Sequence, residues 1–202
     1  MGNAEHRSTL IETCIEQDGK LDILVSNAAV NPYFGPMLTT PEESWDKIFE
    51  INVKNCFQLI QESVPHLEQQ EGSSIVCISS LAGVQPMPQL GAYSVSKAAI
   101  CSMVRSLAFE LGPSGIRINT VCPGVVKTKF AGALVDMEEH IANQVKKLKP
   151  FKNLNRILKF ALNRFAVPDE ISGIVSFLVD SNRASYVTGE NYVIAGGATS
   201  RL

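Results

Sequence analysis

Tyr93 and Lys97 stand four residues apart in Tyr93-Ser94-Val95-Ser96-Lys97. On a helix this spacing puts both side chains on one face, about one turn apart. A phenol ordinarily ionises near pH 10, too high for a base at neutrality. A neighbouring ammonium favours the phenolate and lowers that value. Such a pair can hand a proton to a carbonyl oxygen, or take one from an alcohol, while hydride moves at the carbon. The pattern is weak alone and stronger in context. Upstream, Ser79-Ser80 ends a strand-like run and is followed by a loop of small residues to Gly83. Asn52, in Ile51-Asn52-Val53-Lys54, falls inside a helix-like stretch, where asparagine has poor propensity. Type and position alone leave open a solvent-facing role for it.

The elements that must position these residues alternate. Leu10, Ile11, Cys14 and Ile15 form a helical stripe within 3–17, stopped by Asp18-Gly19. Strands are expected near 21–26, 74–79, 116–121 and 191–195. Helices are expected over 41–69, with Pro65 as a possible kink, and over 92–111, 130–165 (irregular) and 168–178. The alternation predicts an α/β fold: a Rossmann-like, doubly wound parallel sheet in a single domain spanning 1–202. In such sheets ligands bind beyond the strands' C-terminal ends. That singles out Ser26-Asn27-Ala28-Ala29, Ser79 to Gly83, and Cys122-Pro123-Gly124.

Composition narrows the function. The chain has 202 residues, 45% hydrophobic and 19% charged, with a formal net charge of -2. This is a globular composition with no general electrostatic grip on nucleic acid. No apolar run reaches the length of a membrane span. The five cysteines include no CxxC, and His6, His66 and His140 form no metal-ligand pattern, so neither a disulfide framework nor a metal is expected. Between Lys146 and Arg164 lie seven basic residues and no acid. Apolar positions at helical spacing make this stretch a lid helix with a solvated basic face, or a surface for a membrane or partner.

Together these motifs resemble the short-chain dehydrogenase/reductase family. SNAA at 26–29, ISS at 78–80, YSVSK at 93–97, INTVCPG at 118–124, VKT at 126–128, and TGE at 188–190 leading to AGG at 195–197 follow the family's order and spacing. The resemblance implies Tyr93 as general acid/base, and Lys97 as the residue that holds the nicotinamide ribose and lowers the tyrosine pKa. It implies Ser80 as the group that polarises the carbonyl, and Asn52 as the holder of a water behind Lys97. Asn27, Ala28, Pro123, Gly124, Val126 and Thr128 would line the cofactor cleft with Tyr93 and Lys97.

Stretches 23–35, 45–54 and 173–178 are similar to peroxisomal, NADPH-dependent carbonyl-reducing members of that family. They imply NADP(H) rather than NAD(H), no metal, and a ketone, aldehyde or retinoid substrate. Ser200-Arg201-Leu202 is similar to the peroxisomal address SKL, implying an import receptor as partner, with the cytoplasm as the alternative location. Homo-oligomerisation through helices 41–69 and 92–111 is also implied.

One family feature is not in this sequence. The glycine-rich TGxxxGxG turn, which sets main-chain N–H groups against cofactor phosphates, has no counterpart: Gly2 is the only glycine before Gly19. The expectation is a fold without the first βαβαβ half, whose strand at 21–25 is a bare apolar edge. A non-catalytic interaction subunit is therefore the alternative to an oxidoreductase.

Overall fold

The computed structural model describes residues 4–128 and 161–198. Helix α1 (Ala4–Asp18) leads to strand β1 (Ile23–Ser26), and α2 (Glu42–Phe49) and α3 (Asn55–Leu67) follow. Next come β2 (Ser74–Ile78), a short α4 (Leu81–Val84), the long α5 (Gly91–Leu111) and β3 (Arg117–Pro123). Helix α6 (Pro168–Val179) and β4 (Asn191–Ile194) complete the described elements. The four strands form one sheet in the order β1-β2-β3-β4, every pair parallel.

Strand alternation sorts the side chains to two faces. Leu24, Ile75, Cys77 and Ile118 point to one side, where they pack with Ile11, Ile60, Ile100 and Val104 from α1, α3 and α5. Val76 and Val121 point to the other, against Ile171 and Leu178 of α6. Burying each such aliphatic side chain is worth about 1.5–3 kcal/mol. The sheet is thus covered by helices on both faces, as the alternating pattern predicts. It is incompletely covered at β1, an edge strand. Val25 pairs with Val76, yet Ile23 and Val25 remain 43% and 42% exposed because α6 packs over β2 and β3.

Local chemistry fixes the helix ends. Gly19, at φ +74°, closes α1 with its N–H on the Ile15 carbonyl at 2.8 Å. Arg7 pins α1 to α3: Nη1 donates to Asn55 Oδ1 at 3.0 Å, and Nη2 to Glu62 Oε1 at 2.9 Å. Helix α6 opens with Pro168 at its first position, and Glu170 Oε2 accepts the Val167 N–H at 3.0 Å. Arg164 grips the same carboxylate with both nitrogens, at 2.6 and 2.8 Å, and holds Glu170 down to about pKa 2, its hydrogen bond being the largest cause.

Three expectations change. The helix expected over 41–69 is not divided at Pro65, which lies inside α3. It is interrupted instead by a π-helical turn over Glu50–Lys54, where the Asn55 N–H reaches back to the Glu50 carbonyl. The stretch after Ser80, expected as a loop, contains α4, because Ser80 supplies its N-cap. Strand β3 runs on through Pro123 rather than ending before it, since β4 pairs with it as far as Ile194. Most of the helix expected over 130–165 lies outside the described residues; 161–164 form turns and a bend. No helix among the described residues is long and apolar enough to cross a membrane.

Candidate active site

Strand β2 ends at Ile78, and Ser79 and Ser80 follow directly. Ser80 is extended (φ -164°), and its Oγ accepts the Ala82 N–H at 3.1 Å, which starts α4. Its side chain also meets the Tyr93 phenol in a hydrogen bond. Tyr93 enters from the first turn of α5 and is 8% exposed. Burial pushes its phenol up to about 12, and the Ser80 bond opposes this only partly.

One turn on, Lys97 is 2% exposed. Its Nζ donates to the Ile78 carbonyl at 2.9 Å and lies 5.6 Å from the Tyr93 ring centroid. Burial lowers its pKa to about 8. The ammonium faces the ring and the β2 carbonyl, and the phenol is governed by its own desolvation and by Ser80.

Asn52 is buried, not solvent-facing. The π-turn aims its amide at the loop after β1. Oδ1 accepts the Val30 N–H at 2.8 Å, while Nδ2 donates to the Val30 carbonyl at 3.0 Å and to Ser96 Oγ at 3.1 Å. Ser96 Oγ donates to the Tyr93 carbonyl at 2.7 Å. Both amide protons of Asn52 therefore hold protein groups. The residue ties the loop bearing Asn27 and Ala28 to the turn of α5 that bears Tyr93.

Asn27 and Ala28 lie exposed just beyond β1. Pro123 is the last residue of β3, and the Gly124 N–H bonds to the Ile194 carbonyl at 2.9 Å. Val126 pairs with Ala166, and Thr128 is exposed with its Oγ1 3.4 Å from the Val126 carbonyl. The structure thus brings Ser80, Tyr93 and Lys97 together and links Asn52 to them. The remaining residues follow the ends of β1 and β3. Two contributors were not singled out in the sequence. Ser79 Oγ donates to the Lys97 carbonyl at 2.8 Å, and Ser96 joins Asn52 to Tyr93. Both stand inside the quoted motifs, but only the fold shows which way they reach.

Lys97 also tests whether a dinucleotide's nicotinamide end fits. A buried ammonium has three protons to donate, and among the described residues it has one hydrogen-bond acceptor, Ile78. That suits the hydroxyls of a ribose. No group of described residues could hold a metal ion.

Known proteins are similar to this chain over its whole length. The family described as enoyl-(acyl carrier protein) reductase matches residues 1–199. Rabbit (Oryctolagus cuniculus) dehydrogenase/reductase SDR family member 4 is 43% identical over 202 residues, which is all of this chain and 73% of the relative. The chain belongs to the short-chain dehydrogenase/reductase family. The human member 4 protein is 42% identical over 203 residues and is spanned to 68% of its length. Among solved members, an NADPH-bound short-chain oxidoreductase from Pseudomonas aeruginosa PAO1, described as having an atypical catalytic center, superposes with a TM-score of 0.85 at 26% identity. The match covers 100% of this chain and 74% of that one. NAD+-bound xylitol dehydrogenase superposes with a TM-score of 0.82 at 27% identity, covering 97% and 76%. Short-chain dehydrogenase/reductase membership makes this chain an oxidoreductase of the NAD(P)-dependent class.

Proposed function

We propose that the chain carries the catalytic residues of an NADP(H)-dependent carbonyl reductase acting on a ketone, aldehyde or retinoid. The observation that carries this reading is the meeting of Ser80 and Tyr93 beside the Lys97 ammonium. A bound nicotinamide supplies the hydride. Tyr93, whose phenol burial raises to about 12, is protonated at neutral pH and serves as the acid in carbonyl reduction. Ser80 orients the carbonyl oxygen toward that proton. Lys97 is the residue to hold ribose hydroxyls and to help re-protonate the phenol. Asn52 holds the loop of Asn27 and Ala28 against α5. Pro123, Gly124, Val126 and Thr128 would flank the cofactor on the far side of the cleft.

NADP(H) is preferred over NAD(H) on the resemblance of stretches 23–35, 45–54 and 173–178 to NADPH-dependent carbonyl-reducing members, and on the likeness to the NADPH-bound Pseudomonas oxidoreductase. Peroxisomal residence rests on Ser200-Arg201-Leu202, which lies outside the described residues. Homo-oligomerisation is supported by apolar side chains left exposed on the two helices invoked for it, Phe57 on α3 and Val95 and Phe109 on α5.

The test is NADPH fluorescence titration followed by ketone reduction, in the 202-residue chain and in one extended N-terminally by a βαβ unit bearing a TGxxxGxG turn. The extended chain is expected to bind and reduce. The 202-residue chain, whose sequence offers no glycine cradle for the phosphates, is expected to bind weakly. An extended chain that binds NADPH but reduces no carbonyl would favour the interaction subunit.

A further inference from the structure

Four buried cysteines lie beneath the sheet face that carries the site, and the proton chemistry above uses none of them. They form two pairs. Cys101 and Cys122 have their sulfurs 3.7 Å apart; Cys56 and Cys77 have theirs 3.9 Å apart. The first pair adjoins the segments that carry Ser80, Lys97 and Pro123. Cys101 is one turn past Lys97 on α5, and Cys122 directly precedes Pro123 and Gly124 in β3. The Cys101 thiol donates to Ser79 Oγ at 3.3 Å, and Ser79 in turn donates to the Lys97 carbonyl at 2.8 Å.

We infer that Cys101 and Cys122 form an oxidative modification site, at which a hydroperoxide converts the two thiols to a disulfide joining α5 to β3. The order of events follows from the surroundings. The Cys122 thiol is the main group favouring a Cys101 thiolate, and Arg105 and Lys97 add positive charge. The single Ser79 proton is committed to the Lys97 carbonyl, so Ser79 contributes little. Cys122, fully enclosed, is pushed up and stays a thiol. Cys101 therefore reacts first, since the thiolate is the nucleophile. It attacks one peroxide oxygen, the O–O bond breaks, and a sulfenic acid forms with release of water. Cys122 sulfur then attacks Cys101 sulfur; the S–O bond breaks, the S–S bond forms, and a second water leaves with the Cys122 proton. Two thiols and one hydrogen peroxide give one disulfide and two waters. A disulfide is about 2.05 Å long, so the sulfurs need to close by only about 1.7 Å.

The choice of Cys101–Cys122 over Cys56–Cys77 rests on position. Cys77, Ser26 and Lys97 favour a Cys56 thiolate too, but Cys56 and Cys77 lie deeper, whereas Arg105 stands beside Cys101, so access decides. Closure takes the Cys101 donor from Ser79 and draws α5 against β3 beside Lys97.

Trypsin separates the two possibilities. Cleavage after Lys97, Arg105, Arg117 and Lys127 places Cys101 and Cys122 on different peptides, while Cys56 and Cys77 share the peptide 55–97. The folded 202-residue chain is treated with hydrogen peroxide at neutral pH, alkylated, denatured and digested without reductant. The expected product is peptide 98–105 linked to peptide 118–127 with loss of two hydrogens, absent in Cys101→Ser. In Cys122→Ser, dimedone should trap Cys101 as its sulfenic acid. Should either variant misfold, the wild-type map still decides, with diamide as a second oxidant. A 55–97 peptide that has lost two hydrogens while Cys101 and Cys122 remain alkylated would overturn the inference. So would oxidation confined to Cys14, or the same cross-links forming equally well in urea. The outcome does not depend on whether the chain reduces carbonyls.

Discussion

Gly83 of α4 lies directly on the main chain of Lys97. A Cβ built on Gly83 would stand 2.6 Å from the Lys97 carbonyl carbon, 2.8 Å from its oxygen and 2.9 Å from the Ala98 nitrogen. These are main-chain atoms, which cannot swing aside. The same Lys97 carbonyl accepts the Ser79 hydroxyl. Ser80 is thus held between two attachments to the peptide of the residue whose side chain it must work beside. Gly83→Ala is expected to lift α4, lengthen the Ser80–Tyr93 bond and cost roughly 1–3 kcal/mol, the usual penalty for overpacking. Urea unfolding reads the stability. In an extended, active chain kcat should fall with little change in NADPH affinity.

The Asn52 clamp sets a second expectation. Asn52→Ala strips partners from both the N–H and the carbonyl of Val30, and each part-buried group so orphaned costs up to about 1–3 kcal/mol. The change should destabilise the chain by roughly 2–4 kcal/mol in the same unfolding measurement. Asn52→Asp should not rescue it, because a carboxylate cannot donate to the Val30 carbonyl or to Ser96.

Lys97 and Tyr93 impose a pH signature of opposite signs. The lysine titrates near 8 when folded and near 10.5 when unfolded. Between those values the unfolded chain holds more protons, so stability rises with pH. The limb is of the order of 3 kcal/mol at about 1.4 kcal/mol per pKa unit. Tyr93 titrates near 12 when folded against 10 in its ordinary state. Above pH 10 the folded chain holds the extra proton, and stability falls. Melting temperature followed from pH 7 to 11 should therefore rise and then drop. Lys97→Met should diminish the rising limb, to which the lowered Cys101 and Cys56 thiols also contribute, and Tyr93→Phe should lessen the fall.

Edge strand β1 predicts how the isolated chain behaves in solution. Exposed Ile23 and Val25, on a strand that is unpaired at one edge among the described residues, invite pairing with another chain. The double substitution Ile23→Thr, Val25→Thr should raise the concentration at which light scattering appears, without altering the melting temperature much, since both side chains already face solvent.

Periodicity was enough to place the four strands and the helices that pack on them, because period-2 and period-3.6 apolar patterns report burial directly. Ser80, Tyr93 and Lys97 were legible for the same reason: each stands at a strand end or a helix start. The π-turn was not, because it arises from a tertiary contact, Asn52 with the main chain of Val30, that propensity does not encode. Pro65 misled in the opposite sense. A proline inside a helix signals a break, yet here α3 accommodates it near its end. The roles of Ser79 and Ser96 depend on which carbonyl lies within reach, and that is a property of packing. The thiol pairs were likewise invisible, since Cys101 and Cys122 are brought together only when α5 crosses β3.

The central claim is that Tyr93 delivers the proton. The most direct measurement is kcat for NADPH-dependent ketone reduction in the extended chain, wild type against Tyr93→Phe, with NADPH affinity measured in parallel. General acid catalysis contributes roughly 10²–10⁴-fold, so kcat should fall by that factor while NADPH affinity holds. A Tyr93→Phe chain that binds NADPH and turns over within a few-fold of wild type would contradict the account.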